Sequence, residues 1–208
     1  MNEKSREQVE AQYAEGADGW SGQYADAASY LSHRAGLVVS LGPALEPGDT
    51  VLDLACGDGA LASFLPGLEY RGVDASPEMV AAATRNGVAA ERGDLNEFAP
   101  AAPVAATCVF RAIYYARDRR AFFRHIAAYT ERKLVFDLNP RQYRLDDVRA
   151  DLRAAGFARL DLRPFFVPQT VALPRAAVTA LRAAERSGPA ARLALRFRFT
   201  YLCAASGA

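Results

Sequence analysis

The chain has 208 residues, 51% of them hydrophobic and 24% charged, enough to bury one full α/β core without disulfide or metal staples. Its 25 Lys and Arg balance 24 Asp and Glu, and a net charge of +1 argues against a general nucleic-acid binder. The balance conceals an asymmetry: residues 141–208 carry twelve Arg against five acids, and residues 1–140 carry thirteen basic against nineteen acidic side chains.

The basic residues are nearly all Arg in an Ala-rich chain, a pattern that coding bias explains, so Arg content carries no functional weight. Cys56, Cys108 and Cys203 form no CxxC and have no His at ligand spacing, so neither a disulfide framework nor a metal site is expected. The first residues, MNEKSREQVEAQ, lack the apolar core of a signal peptide, and no apolar run approaches the roughly 20 residues of a membrane span. The expectation is a cytoplasmic protein with no membrane span.

In chain order, residues 2–45 read as helical and carry Tyr13, Trp20, Tyr24 and Tyr30. Val51–Leu54 is a short, continuously apolar run between Pro47-Gly48-Asp49 and Gly57-Asp58-Gly59, as a strand buried on both faces should be. Ala60–Leu65 reads as a short helix, and Tyr70–Asp74 as the second strand. Ser76 caps a helix over Glu78–Arg85, with Pro77 at its first position. Val88–Glu91 is a weak third strand and Ala105–Phe110 a stronger fourth.

Asp118–Thr130 is an amphipathic helix with Phe122, Ile126 and Tyr129 on one stripe. Leu134–Asp137 is a fifth strand, Asp147–Ala155 a helix stopped by Gly156, and Ala158–Arg163 a sixth strand. Residues 164–192 interrupt the alternation with a Pro-punctuated apolar stretch and a helix over Arg175–Arg186. Leu193–Phe199 fits a helix and an alternating strand equally, and Phe199–Ala204 reads as the last strand. This alternation implies a single doubly wound α/β domain. It divides into an N-terminal helical lid (1–45), a core (46–163), and an inserted helix with the last strand (164–208).

The sharpest local signal is Val51-Leu52-Asp53-Leu54-Ala55-Cys56-Gly57-Asp58-Gly59, a buried strand feeding a glycine turn. In an open α/β sheet that turn lies at the carboxyl end of the strands, where ligands bind. Gly57-x-Gly59-x-x-Ala62 also satisfies a dinucleotide fingerprint. Charge decides between the two guests. Asp53 and Asp58 would face a pyrophosphate, and like charges about 4 Å apart repel by on the order of 4 kcal/mol at intermediate dielectric. S-adenosylmethionine (SAM) instead brings a sulfonium and an ammonium that seek carboxylates, plus a carboxylate that the turn's N–H groups can hold. Asp74 ends the second strand where an acid accepts from a ribose diol, and Asp94 follows the third strand beside Leu95.

VLDLACGDGALASFL, YRGVDASPEMV and GDLNEF resemble the class I SAM-dependent methyltransferases across residues 45–163. The resemblance implies a Rossmann-like seven-stranded sheet, mostly parallel, in the order 3-2-1-4-5-7-6 with the seventh strand antiparallel. It implies SAM as cofactor, with Asp53, Ala55, Cys56, Gly57 and Gly59 at the methionine end. Asp74 and Ala75 would lie at the ribose, Met79 beside the adenine, and Asp94 with Leu95 on the base. Arg111 falls where such enzymes often contact the cofactor, though an Arg departs from the usual small side chain. The N-terminal helices commonly form a lid, which places Tyr13 near the site.

Methyl transfer from a sulfonium needs alignment more than a conspicuous catalytic set. Tyr115, with Tyr114 beside it, and Asp137, with Asn139, lie after the fourth and fifth strands and are the candidates for acceptor contact or proton removal. His125 and the His33-Arg34 pair read as helix-surface residues. The 164–189 insertion is suited to roofing an apolar acceptor pocket, and equally to a covering or dimer surface. The implied acceptor is a small molecule, not nucleic acid, and the chain would work as a monomer or homodimer. The competing readings are a SAM-binding protein without catalysis and, opposed by Asp53 and Asp58, an NAD(P)-dependent reductase.

Overall fold

The computed structural model describes residues 24–197 and 200–207. Seven strands form one sheet: β1 (Thr50–Leu54), β2 (Glu69–Asp74), β3 (Ala89–Arg92), β4 (Val104–Val109), β5 (Thr130–Leu138), β6 (Arg159–Pro164) and β7 (Tyr201–Ser206). Their spatial order is β3-β2-β1-β4-β5-β7-β6. The first five are parallel, and β7 runs antiparallel to both β5 and β6. The expected doubly wound architecture is therefore present, including the reversed last strand.

Among the described residues six α-helices flank the sheet: α1 (Ala27–Ser40), α2 (Pro77–Arg85), α3 (Arg119–Ala127), α4 (Leu145–Ala154), α5 (Arg175–Glu185) and α6 (Gly188–Phe197). The start of α2 follows its sequence cues: the Ser76 hydroxyl accepts from the Met79 amide at 3.2 Å, and Pro77 opens the helix. Three segments differ from expectation. Ala60–Phe64 is a 3₁₀ turn, since Gly59 enters it left-handed and Pro66 leaves no room for a longer helix. The helix expected to reach Thr130 stops at Ala127, because β5 already starts at Thr130 to pair with Val104. The ambiguous 193–199 stretch belongs largely to α6, and β7 begins only at Tyr201. Of the lid, residues 1–23, including Tyr13 and Trp20, lie outside the described residues.

The pleat decides what each face carries. Leu52, Leu54, Val109, Leu134, Phe136 and Leu138 point to one face, where Phe122, Phe123 and Ile126 of α3 and Val148 and Leu152 of α4 bury against them. Each such side chain contributes about 1.5–3 kcal/mol on leaving water. Val51, Ala106, Cys108, Phe110, Val135 and Leu202 point to the other face, beneath Leu31, Ala35, Leu37 and Val38 of α1 and Val178 of α5. Asp53 and Asp137 have the parity of Val51 and Val135, so both carboxylates project beneath α1 at the carboxyl end of the sheet.

Lys133 shares that parity and is fully buried. Its ammonium donates to the carbonyls of Val39 at 3.1 Å and Leu41 at 2.9 Å, at the C-terminal end of α1. A cation there complements the helix dipole and satisfies carbonyls the helix cannot. Burial lowers its pKa to about 8. α1 is thus pinned to the central sheet through its last turn.

Candidate active site

After Leu54 the chain bends sharply. Ala55 has φ 67° and Gly59 φ 71°, both left-handed. A Cβ at Gly59 would also sit 2.8 Å from Val88 Cγ2, so glycine is required for close packing as well as for the turn. The turn's amides are largely committed within the protein. Those of Ala55 and Cys56 donate to the Val73 carbonyl at 2.7 and 3.0 Å, and that of Gly59 donates to the Cys56 carbonyl at 3.1 Å. The Gly57 amide donates to Asp74 Oδ2 at 2.9 Å, and the Ala60 amide to Asp58 Oδ1 at 3.3 Å. The turn therefore does not offer the open row of N–H donors for a ligand carboxylate that its glycines suggest.

Asp53 lies directly before this bend and is 3% exposed. Tyr70 Oη donates to its Oδ2 at 2.6 Å, whereas Oδ1 is buried without a hydrogen-bond partner. Burial pushes the Asp53 pKa up to about 7, against the opposing pull of the Tyr70 hydroxyl and the Arg34 charge. A buried carboxylate oxygen with no donor is an unfinished interaction, and a cation placed beside it would complete it.

Asp74, at the end of β2, accepts from the Gly57 amide and, through Oδ1, from the Ser76 amide at 3.0 Å. Its burial outweighs those donors and raises its pKa. Close approach of β2 to the turn depends on Gly72, where a Cβ would lie 2.7 Å from Cys56 Sγ. Cys56 is half-buried, and burial raises its thiol pKa. Ala75 is half-buried, and its carbonyl accepts from Arg92 Nε at 3.2 Å. Met79 is 1% exposed and packed beneath the start of α2. Asp94 Oδ1 accepts from the Asn96 amide and Nδ2, both at 2.9 Å, and Oδ2 pairs with Arg117 at 2.7 Å. Leu95 packs on the core edge.

The second half of the site lies after β4 and β5. Arg111 has φ 54°, the other left-handed non-glycine residue among those described, and its side chain is exposed. Its amide donates to Asp137 Oδ1 at 2.7 Å, so the β5 carboxylate holds the β4 bend. Asp137 Oδ2 lies 3.7 Å from Arg34 Nη2. Tyr115 is half-buried in the 3₁₀ turn Ile113–Tyr115, its ring 4.4 Å from that of Tyr114, which is 41% exposed. His125 is half-buried on α3, its ring bonded to the Phe98 carbonyl at 2.8 Å.

Arg34 and His33 are not on a solvated face. Tyr30, Arg34, Leu37, Val38 and Leu41 recur at helical spacing along the buried stripe of α1, and that recurrence is the sequence signal for burial of Arg34. Arg34 is 4% exposed, and its guanidinium lies 4.5 Å from the Phe110 ring centre and 4.9 Å from that of Tyr30. His33 pairs with Glu185 at the end of α5 and stacks on Phe165 with ring centres 4.9 Å apart. The other oxygen of Glu185 accepts from the Phe166 amide at 2.6 Å, so one buried carboxylate ties the insertion to α1.

Comparison with known proteins agrees with this geometry. Residues 51–133 match the family model described as a methyltransferase domain. A 60-residue stretch is 45% identical to trans-aconitate 2-methyltransferase of Mycobacterium tuberculosis, covering 27% of this chain and 23% of that protein. The match thus spans less than a quarter of the curated relative's length. Among solved structures, the complex between the Haloferax volcanii Trm112 methyltransferase activator and its methyltransferase partner aligns over 98% of this chain and 97% of the neighbour's, at 21% identity and TM-score 0.66. Magnesium protoporphyrin IX methyltransferase of Synechocystis PCC 6803, solved with SAM bound, aligns over 100% of this chain and 86% of its own, at 17% identity and TM-score 0.54. The chain has the fold of the class I methyltransferases, and residues 51–133 are the stretch that matches the methyltransferase-domain model. Among the described residues no helix is long and apolar enough to cross a membrane, and no cluster of His, Cys, Asp and Glu has metal-binding geometry.

Proposed function

We propose that the protein transfers a methyl group from SAM to a small-molecule acceptor. The observation that carries this reading is the buried, unpartnered Oδ1 of Asp53 beside the glycine turn of a methyltransferase domain. An orphan anion suits the cationic methionine end of SAM and opposes a pyrophosphate. When bound, SAM supplies an already activated methyl group, and the chain's task is to align the acceptor and exclude water. In this reading Asp53 and the Ala55–Gly59 turn hold the methionine end. Asp74 and Ala75 meet the ribose, Met79 and Leu95 line the adenine, and Asp94 holds the edge of the base.

Asp137 and Tyr115 face the acceptor side after β5 and β4. Asp137 is fixed between the Arg111 amide and Arg34, so it is oriented by two donors from different elements. The whole chain serves as one catalytic domain, with residues 46–163 as the cofactor-binding core.

Titration calorimetry with S-adenosylhomocysteine tests the cofactor, and transfer of a labelled methyl group into a small-molecule extract tests the reaction. Binding of S-adenosylhomocysteine and not NAD is expected. Asp74→Ala should weaken that binding more than tenfold while leaving the fold intact. Tight binding without transfer to any acceptor would favour the alternative of a SAM-binding protein without catalysis.

A further inference from the structure

Among its described side chains, α6 turns small residues toward the sheet and large apolar ones away from it. Ala194 is 3% exposed and lies in the buried cluster with Phe122 and Leu152, and the Ala191 carbonyl accepts from Tyr201 Oη at 2.9 Å. Leu193 and Phe197, one turn apart, are 53% and 62% exposed. Arg192 and Arg196 have the same spacing and are exposed as well, so two apolar and two basic side chains share the outer stripe of the helix. A helix that only covers a sheet turns its large apolar groups inward.

Charge identifies what covers that stripe. Residues 164–208 hold six Arg and one acid, Glu185, which is buried and paired with His33. Coding bias accounts for Arg where Lys could stand, but not for the lack of acids beside exposed Leu and Phe. The same face of the sheet carries a second basic feature, at the end of α4 and the start of β6. A cavity of about 220 Å³ there is lined by Arg149, Arg153 and Arg159 over Leu152, Phe157 and Leu160, with no acid in its wall. A surface that joins spread negative charge to an apolar interior is an anionic bilayer, and a helix with Arg beside Leu and Phe lies in its headgroup plane. We propose that the outer face of α6 docks on an anionic lipid membrane, Leu193 and Phe197 entering the acyl boundary and Arg192 and Arg196 pairing with headgroup phosphates. At 10 residues the helix is too short to span, so the contact is peripheral and reversible.

Co-sedimentation of the full chain with phosphatidylcholine vesicles, with and without phosphatidylglycerol, tests this. The wild-type chain should bind the anionic vesicles roughly tenfold more tightly than the neutral ones, or better. At about 1 M salt, where the Debye length is about 3 Å, it should be released. Each Arg at an anionic surface contributes about fivefold, so Arg192→Gln with Arg196→Gln should weaken binding by roughly 25-fold. Leu193→Ser with Phe197→Ser should weaken it roughly tenfold or more by removing the apolar anchor. All four side chains are exposed, so both double variants should keep the wild-type melting profile; if the Ser pair does not fold, Phe197→Ser alone decides by the same criteria. Equal binding to both vesicles, binding to neither, or binding that survives both double variants overturns the proposal. Sedimentation velocity without lipid supplies the other outcome: a dimer that Leu193→Ser with Phe197→Ser dissociates shows that a second copy covers the face, and overturns it too.

Discussion

The Tyr70 hydroxyl donates to Asp53 Oδ2 at 2.6 Å across the β1–β2 pair, and this bond holds the carboxylate so that its second oxygen stays unpartnered. Burial raises the Tyr70 pKa well above its usual value, so the phenol remains a donor throughout the working range. Tyr70→Phe removes the bond and further disfavours the ionised acid. A hydrogen bond to a charged group contributes about 1.5–3 kcal/mol, so affinity for S-adenosylhomocysteine near neutral pH should fall by roughly tenfold or more. Calorimetry at two pH values checks the origin of the loss: part of it should return above pH 8, where Asp53 ionises even without the phenol.

The pH dependence of Asp53 has a definite sign. Its pKa of about 7 in the native protein lies above the value of about 4 for an unfolded Asp. The native state therefore binds the proton more tightly, and the ligand-free protein loses stability as pH rises from about 4 to about 7. Asp74, also raised by burial, acts in the same direction. Melting temperatures across this range should fall with rising pH, and Asp53→Asn should flatten the slope. Affinity for S-adenosylhomocysteine should move the opposite way, since only the ionised acid attracts its ammonium. A wild-type melting profile that rises across the window would contradict the assignment.

Gly72 controls how closely β2 approaches the turn. Its substitution by Ala places a Cβ 2.7 Å from Cys56 Sγ and 3.2 Å from Cys56 Cβ, so one of the two residues must shift. Overpacking of this kind costs about 1–3 kcal/mol. Gly72→Ala should melt lower and bind S-adenosylhomocysteine more weakly. Combined with Cys56→Ala it should recover part of both losses, as expected for two groups in direct contact. Simple additivity in the double variant would place the damage elsewhere.

Lys133→Met keeps most of the side-chain volume but leaves the carbonyls of Val39 and Leu41 without their donor. Burying unsatisfied acceptors costs about 1–3 kcal/mol, set against relief from burying the ammonium itself. The net expectation is a lower melting temperature near pH 7 and a larger deficit above pH 9. Burial holds the lysine pKa at about 8, below its unfolded value, so the wild-type protein gains stability with rising pH up to about 10. Thermal melts at pH 7 and 9.5 measure both effects.

Much of this fold is legible in the chain itself. Short buried strands, the Gly57-Asp58-Gly59 turn and the Ser76-Pro77 cap are local signals, and each lies where its local chemistry puts it. What the chain conceals is decided by pairing partners. Thr130 reads as the end of a helix because its neighbours are amphipathic, yet it becomes strand by pairing with Val104. Leu193–Phe199 suits two periods, and the helix prevails over most of it because β7 needs only Tyr201–Ser206 to span β5 and β6. Within the site, the acids after β1, β2 and β3 announce themselves by position, whereas Tyr70 and Arg34 do not. Tyr70 looks like an ordinary strand aromatic, and Arg34 looks solvated until the stripe of α1 is seen to run through it. The commitment of the turn's amides to Val73 and Asp74 depends on how two strands dock, which spacing alone does not carry.

Ala55 and Arg111 are both left-handed without the freedom of glycine, and they stand at the ends of β1 and β4, which are neighbours in the sheet. From these two strands the chain departs toward opposite edges, so the crevice between them opens where the backbone is most tightly constrained. Each bend is latched by a bond from another strand, Ala55 to the Val73 carbonyl and Arg111 to the Asp137 carboxylate. The rim of the crevice is thus tied by bonds that the chain makes within itself, one on either side of the opening.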